Sequence, residues 1–328
     1  MKDILGGNNY RFGVETFLLM YLNQYQFVLG SDLDSYAQAN EVFTEDNPCN
    51  IYFVLRRPKV TVDPNPIKID GNKANLNFII HNKDEVGMVN VGFEFQQAQS
   101  ELEFRTEYPY NLFTLSDKNG VLLGARPSTL IDSIQLKDNI DVPFLDYEVL
   151  YIGQAYGING KRTALDRLST HETVQKIYTH SLTQYPDSDI WILLTNFSQQ
   201  SMLFSAPNDL IKTKKEDSQI EIEKEKHFFN NNGISLTEKQ RINFTEAALI
   251  KYFQPKYNKE FKNSFPSAKH KSYSECYDLD IKALTIELDT SENTRRIFTE
   301  NTERTHRHMK MFEFNSDADR ISFMKVFG

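Results

Sequence analysis

The chain has 328 residues, of which 40% are hydrophobic and 25% charged, a profile of a globular protein with room for two or three hydrophobic cores. This excludes collagen-like, mucin-like and solenoid chains, and no internal repeat is visible. The formal net charge of -8 weighs at first sight against nucleic acid as a partner, because phosphate binding is driven by Lys and Arg.

Near the N-terminus the apolar run Phe17 to Leu22 follows Glu15 and is broken up by Asn23, Gln24 and Gln26. It is too short to span a bilayer and lacks a basic flank or a small-residue cleavage site, so it predicts an internal helix and no membrane association. Cys49 and Cys276 match no metal-ligand spacing, and two distant cysteines suit a cytoplasmic location. From Asn50 to about Ile134 the texture is β. Ile51 to Leu55, Leu76 to Ile80 and Val89 to Phe95 are short β-branched and aromatic runs, with turn signals at Asp70-Gly71 and Asn119-Gly120. A polar connection, Asp138 to Pro143, closes this part.

Glu148 to Gly153 then reads as a strand ending at glycine, followed by a loop with Gly157 and Gly160. A helical pattern runs from about Arg162 to Tyr178, with Leu165, Leu168, Val174 and Ile177 as its apolar positions. Asp189 to Phe197 reads as a buried strand, and Ile211 to Lys226 as a solvated charged helix or loop. A helix is predicted over Leu236 to Phe253, stopping before Pro255. The tail offers strands at Leu284 to Leu288 and Met309 to Phe314, and a closing helix from Asp317 to Phe327. The expected class is α+β, with a β-rich N-terminal domain for target or partner recognition over 1–145, a small αβ domain over 146–265 with a charged insertion near 205–235, and a C-terminal strand and helix extension over 266–328.

Five positions in the middle combine chemistry with spacing. Tyr151 begins a Tyr-Ile-Gly; Arg167 and His171 lie four apart, one turn of a helix; Glu246 sits in an otherwise apolar stretch; Asn258 follows the helix-ending Gln254 to Tyr257. Singly, each has a bland explanation as a core tyrosine, a solvated helix face or a dipole-favourable carboxylate.

As a set they resemble the GIY-YIG nuclease family, found in homing endonucleases, certain restriction enzymes and the incision subunit of bacterial excision repair. The matching segments are Val149 to Ala155, Arg167 to His171, and Glu246 to Asn258, the last similar to the family's acidic helix followed by Pro-x-x-Asn. The resemblance covers about Asp146 to Asn258 and implies a central antiparallel sheet flanked by helices. One element departs from it: the family carries a Gly-Ile-Tyr strand about ten residues before Tyr-Ile-Gly, and the window Lys137 to Phe144 holds no tyrosine. Either the first strand lies upstream behind an insertion, near Leu130 to Leu136, or Tyr147 or Tyr156 takes its role, or this copy has lost part of the machinery.

The resemblance implies a phosphodiester hydrolase, an endonuclease working with Mg²⁺ (or Mn²⁺), acting on DNA or alternatively RNA, in settings such as restriction or phage defence. A non-cleaving interaction module is the alternative, and a homodimer is expected for a double-strand cut. A phenol acts as base only when a cation or metal-bound water lowers its pKa from about 10. Tyr151 is the first choice for that role and Tyr147 the reserve. Arg167 would grip phosphate oxygens, and His171 would relay a proton or orient the tyrosine. Glu246 would be the single protein ligand of the metal, and Asn258 would keep helix and phosphate in register. Gln154, Lys161 and Arg162 are candidate nucleic-acid contacts. Charge divides accordingly: from Tyr151 to Ser272 there are 17 Lys and Arg against 13 Asp and Glu, leaving 20 against 32 in the rest. The net acidity belongs to the flanks.

Overall fold

The computed structural model describes residues 13–33, 35–36, 43–44, 47–83, 85–98, 100–138, 143–154, 168, 171–205, 215–263, 265 and 281–314. It is an α+β protein whose strands outweigh its helices. One sheet of eleven strands dominates. Its main path runs β13 (Thr302–Thr305), β12 (Ile297–Thr299), β9 (Tyr147–Gln154), β2 (Ile51–Val62), β10 (Ser188–Ser205), β1 (Val14–Leu29), β11 (Ile281–Asp289) and β14 (Arg307–Glu313). Each of the three expected segments contributes strands to this path, so hydrogen bonding is continuous across the boundaries placed at 145 and 265.

β2 is the hub. Ile51 to Leu55 are fully buried, as suits a strand covered on both faces. The first part of β2 pairs antiparallel with β9 on one side and β10 on the other, while Lys59 to Val62 pair with β4 (Lys73–Asn82). β4 also carries β3 (Lys68–Asp70) and β5 (Glu85–Glu94). A separate three-stranded sheet, β6 (Glu103–Thr106), β7 (Phe113–Asp117) and β8 (Gly120–Ala125), and helix α1 (Pro127–Asp138) complete this region. Its core includes Val62, Leu76, Phe78, Phe113, Leu115 and Ile131. The residues between β2 and β9 therefore form an inserted body with its own hydrophobic interior. The turns expected at Asp70-Gly71 and Asn119-Gly120 join β3 to β4 and β7 to β8, and both glycines have positive φ.

The run Phe17 to Leu22 is not a helix. It lies within β1, antiparallel to β10 and parallel to β11. A short continuous apolar run has no period that separates a buried strand from a buried helix, and two flanking partners decide for the strand. Leu130 to Leu136, one place considered for the missing first strand, lies in α1. The strands expected at Asp189, Leu284 and Met309 form as β10, β11 and β14.

Two helices cover the central strands. α2 (Glu172–Gln184) sends Val174 and Ile177 into a core with Tyr52, Val54, Leu150 and Ile192. α4 (Glu238–Phe253) packs Ala247, Leu249 and Phe253 into a core with Ile51, Phe53 and Ile152. Neighbouring residues of one strand thus enter different cores, which is the period of two. α4 starts with a capping box, in which the Thr237 side chain receives Gln240 N–H and the Gln240 side chain receives Thr237 N–H. It stops at Gln254, left-handed at φ 50°, just before Pro255. The charged segment forms α3 (Lys215–Asn230). The closing helix expected from Asp317 to Phe327 lies outside the described residues. Among the described residues no helix is long and apolar enough to cross a membrane.

Candidate active site

β9 and β2 run antiparallel with Ile51 opposite Gln154, Tyr52 opposite Gly153 and Val54 opposite Tyr151. The register shifts between Val54 and Leu55, where the partners of β2 step from Tyr151 to Val149. This bulge lets Leu150 and Tyr151 both join the core under α2, while Val149 and Ile152 join the core under α4. Tyr52 and Tyr151 consequently sit together, with ring centroids 6.2 Å apart.

His171 comes to the same place. Its Nε2 is 3.4 Å from the Tyr151 hydroxyl, and the two rings are 5.5 Å apart. The long helix expected from Arg162 to Tyr178 does not run through this residue. His171 is the N-cap of α2, with extended φ and ψ of -80° and 118°, so it faces Tyr151 from the start of a helix and not from its side. Helix α2 opens with Glu172 in its first turn, a start signal that argues against continuing the upstream helical pattern through position 171. Arg167, Lys161 and Arg162 lie outside the described residues.

Asn258 has a defined task. Its Oδ1 accepts from Ile152 N–H at 2.9 Å, and its Nδ2 donates to the Ile152 carbonyl at 2.8 Å. Tyr257 N–H adds a bond of 3.0 Å to the Leu150 carbonyl. The chain after α4 is thereby clipped along β9 beside Tyr151. Glu246 is 9% exposed and stands two helical turns before Phe253, whose ring packs edge-on against Phe53. A seven-residue step returns to nearly the same side of a helix, so Glu246 is on the sheet-facing side of α4. That is the core opposite the one holding Tyr52 and Tyr151. Gln154 ends β9, half-buried.

Tyr147 is not an alternative to Tyr151. It is fully buried, stacked on Phe27 at 4.7 Å and edge-on to Trp191 at 5.6 Å, with the Arg57 guanidinium 4.8 Å from its ring centre. Burial pushes its phenol far above the ordinary range, the wrong direction for a base.

Three residues not singled out in the sequence border the site. Tyr52 is one. Tyr257 is another, its hydroxyl 3.1 Å from His180 Nδ1. Lys256 is the third, its ammonium 5.9 Å from the ring centres of Tyr185 and Tyr257. Arg56 lies 3.6 Å over the Tyr185 ring, and its hydrogen bond and charge hold the Tyr185 phenol below its usual pKa. Arg56 is already paired with Glu148, which leaves Lys256 as the cation of this group beside the Tyr185 and Tyr257 rings. The signal for Tyr52 was present as Asn50-Ile51-Tyr52, one residue type away from Gly-Ile-Tyr, but it stands about a hundred residues before Tyr151. Compared with known proteins, the chain matches no family model, no curated protein and no solved structure.

Proposed function

We propose that this chain is a Mg²⁺-dependent endonuclease of GIY-YIG type acting on DNA, with Asn50-Ile51-Tyr52 as the displaced first motif. The single observation that carries the reading is the antiparallel pairing of Ile51-Tyr52 with Ile152-Gly153, which sets Tyr52 and Tyr151 side by side under His171. It supports an upstream strand behind an insertion, but at β2 and not near Leu130 to Leu136, where the sequence alternative had put it. The inserted body and the tail then serve target or partner selection.

In this reading His171 Nε2 holds the Tyr151 proton or accepts it as water is activated, a phenol being a competent base only with such help. Tyr52, fully buried beside it, fixes the position of the Tyr151 ring. Arg167 supplies the planar fork for the phosphate oxygens, and Lys256, with Gln154, Lys161 and Arg162, holds the backbone. By the resemblance Glu246 is the magnesium donor, yet it stands on the α4 side of the sheet, opposite Tyr151 and His171, so an ion held there would not share the phosphate that those two face.

A second reading, a non-cleaving module on the same fold, is favoured by one observation: Glu246 approaches the sheet from the α4 side. Supercoiled plasmid with Mg²⁺ discriminates the two. Cleavage by the parent chain that falls at least a hundredfold in Tyr151→Phe, Arg167→Ala and Glu246→Ala establishes the nuclease. Cleavage surviving all three defeats the site, and binding without cleavage of DNA or RNA selects the module.

A further inference from the structure

A cavity of about 570 Å³ opens beside Tyr147, on the core opposite the Tyr151 site. Its aromatic wall comes from β1, β10 and β9 of the sheet, with β2 lying between the last two. Phe27 stacks on Tyr147 with an interplanar angle of 16°, Tyr25 meets Phe27 edge-on at 5.9 Å, and Trp191 meets Tyr147 edge-on. Two hydrogen-bond donors in this wall, Tyr147 Oη and Trp191 Nε1, have no partner among the described residues, although the residues are 0% and 3% exposed. Leaving such groups unmet costs a fold dearly, and native structures keep few of them. The lining also holds acceptors: Glu292 from the loop after β11, and the Asp132 carboxylate from α1, which already receives Arg57 and Arg295. Burial, with Glu292 and Asp289 nearby, pushes the Tyr25 phenol up to about 12, so it stays a neutral donor at the rim.

A ligand that answers all of these is flat, stacks on aromatic rings, offers ring acceptors to buried donors and presents an amine to carboxylates. Glu292 opposes a phosphate inside, the Asp132 charge being met by Arg57 and Arg295. We propose that this cavity binds a nucleobase carrying an exocyclic amine, adenine or cytosine, with its sugar and phosphate left outside. The base arrives either as a free nucleoside or nucleotide, or swung out of a strand. An exocyclic amine against a carboxylate and a ring acceptor against an N–H is the ordinary grammar of base reading, and the volume lies within the span of small-molecule sites. The site shares no residue with the Tyr151 cluster, so its test is independent of cleavage.

Trp191 is the only tryptophan of the chain, and its emission reports the cavity directly. Titration of the full chain with adenosine, cytidine, uridine and ribose 5-phosphate, excited at the red edge of the indole band, is expected to give saturable quenching by adenosine or cytidine. Uridine should bind at least tenfold more weakly, and ribose 5-phosphate should not quench. Tyr25→Ala, at a half-buried rim position, should weaken binding at least tenfold with unchanged circular dichroism; Phe27→Ala is the second variant if that one unfolds. Oligonucleotides carrying 2-aminopurine separate the sources. A fluorescence rise with the parent chain and none with Tyr25→Ala assigns a swung-out base, whereas nucleoside quenching without that rise assigns a free nucleoside or nucleotide. The proposal is overturned if no base quenches saturably and 2-aminopurine does not respond, or if uridine or ribose 5-phosphate binds as well as adenosine and cytidine.

Discussion

Tyr52 stands against Gly153 so closely that a β-carbon on residue 153 would fall 2.7 Å from the Tyr52 hydroxyl oxygen and 2.8 Å from Tyr151 Cε1. The glycine of Tyr-Ile-Gly is therefore required by the packing of two tyrosines, and not by a left-handed backbone. Gly153→Ala should lower stability by about 1–3 kcal/mol, the usual cost of forcing atoms into a filled core. Urea denaturation checks this, and an unchanged midpoint would show that the rings move aside freely.

Asn258 replaces a strand partner for Ile152. Asn258→Ala leaves one buried N–H and one buried carbonyl unmet, at about 1–3 kcal/mol each. Asn258→Asp keeps the acceptor but sets a second, charged oxygen against the Ile152 carbonyl at a buried position, so it should lose at least as much as the alanine variant. Denaturation of the three proteins at neutral pH gives the order, and an aspartate variant as stable as the parent counts against the two-bond account.

Asp132 bridges two buried arginines. Its carboxylate receives Arg57 Nη1 at 2.9 Å and Arg295 Nε at 2.7 Å, tying α1 to β2 and to the loop before β12. Both arginines are about 1% exposed. Asp132→Ala strands two cations in the interior and should cost about 3–5 kcal/mol. A thermal melt within error of the parent would refute the bridge.

His308 sets an acid limit on stability. Its Nε2 lies 3.0 Å from the Ile297 carbonyl and so carries the proton, which leaves Nδ1 to accept from the Tyr252 hydroxyl at 3.1 Å. Burial, only partly countered by backbone bonds to Ile297 and Thr305, lowers its pKa below the ordinary 6.5. The unfolded chain then takes up a proton first, so the stability tied to neutral His308 is full above about pH 6.5 and is lost as pH falls below it. His308→Gln should flatten the stability curve between neutrality and mild acid. The same slope in parent and variant would assign the acid sensitivity to other groups.

The strand texture from Asn50 onward, the helix ending at Pro255 and the charged α3 were legible in the sequence, because alternation, capping residues and charge runs are local properties. The Tyr-Ile-Gly strand, His171, Glu246 and Asn258 could be picked out for the same reason: each sits in a short recognisable segment. What the chain order hid was the partner of that strand. Tyr52 and Tyr151 are separated by an insertion with its own core, so a search at a short fixed distance before Tyr151 does not reach Tyr52. The Phe17 to Leu22 run was ambiguous between helix and strand until β10 and β11 enclosed it. Residue types and local periods follow from sequence alone. Which strands are neighbours, which face a side chain enters and which cavity two buried donors line depend on contacts between distant segments, and only the closed tertiary packing decides those.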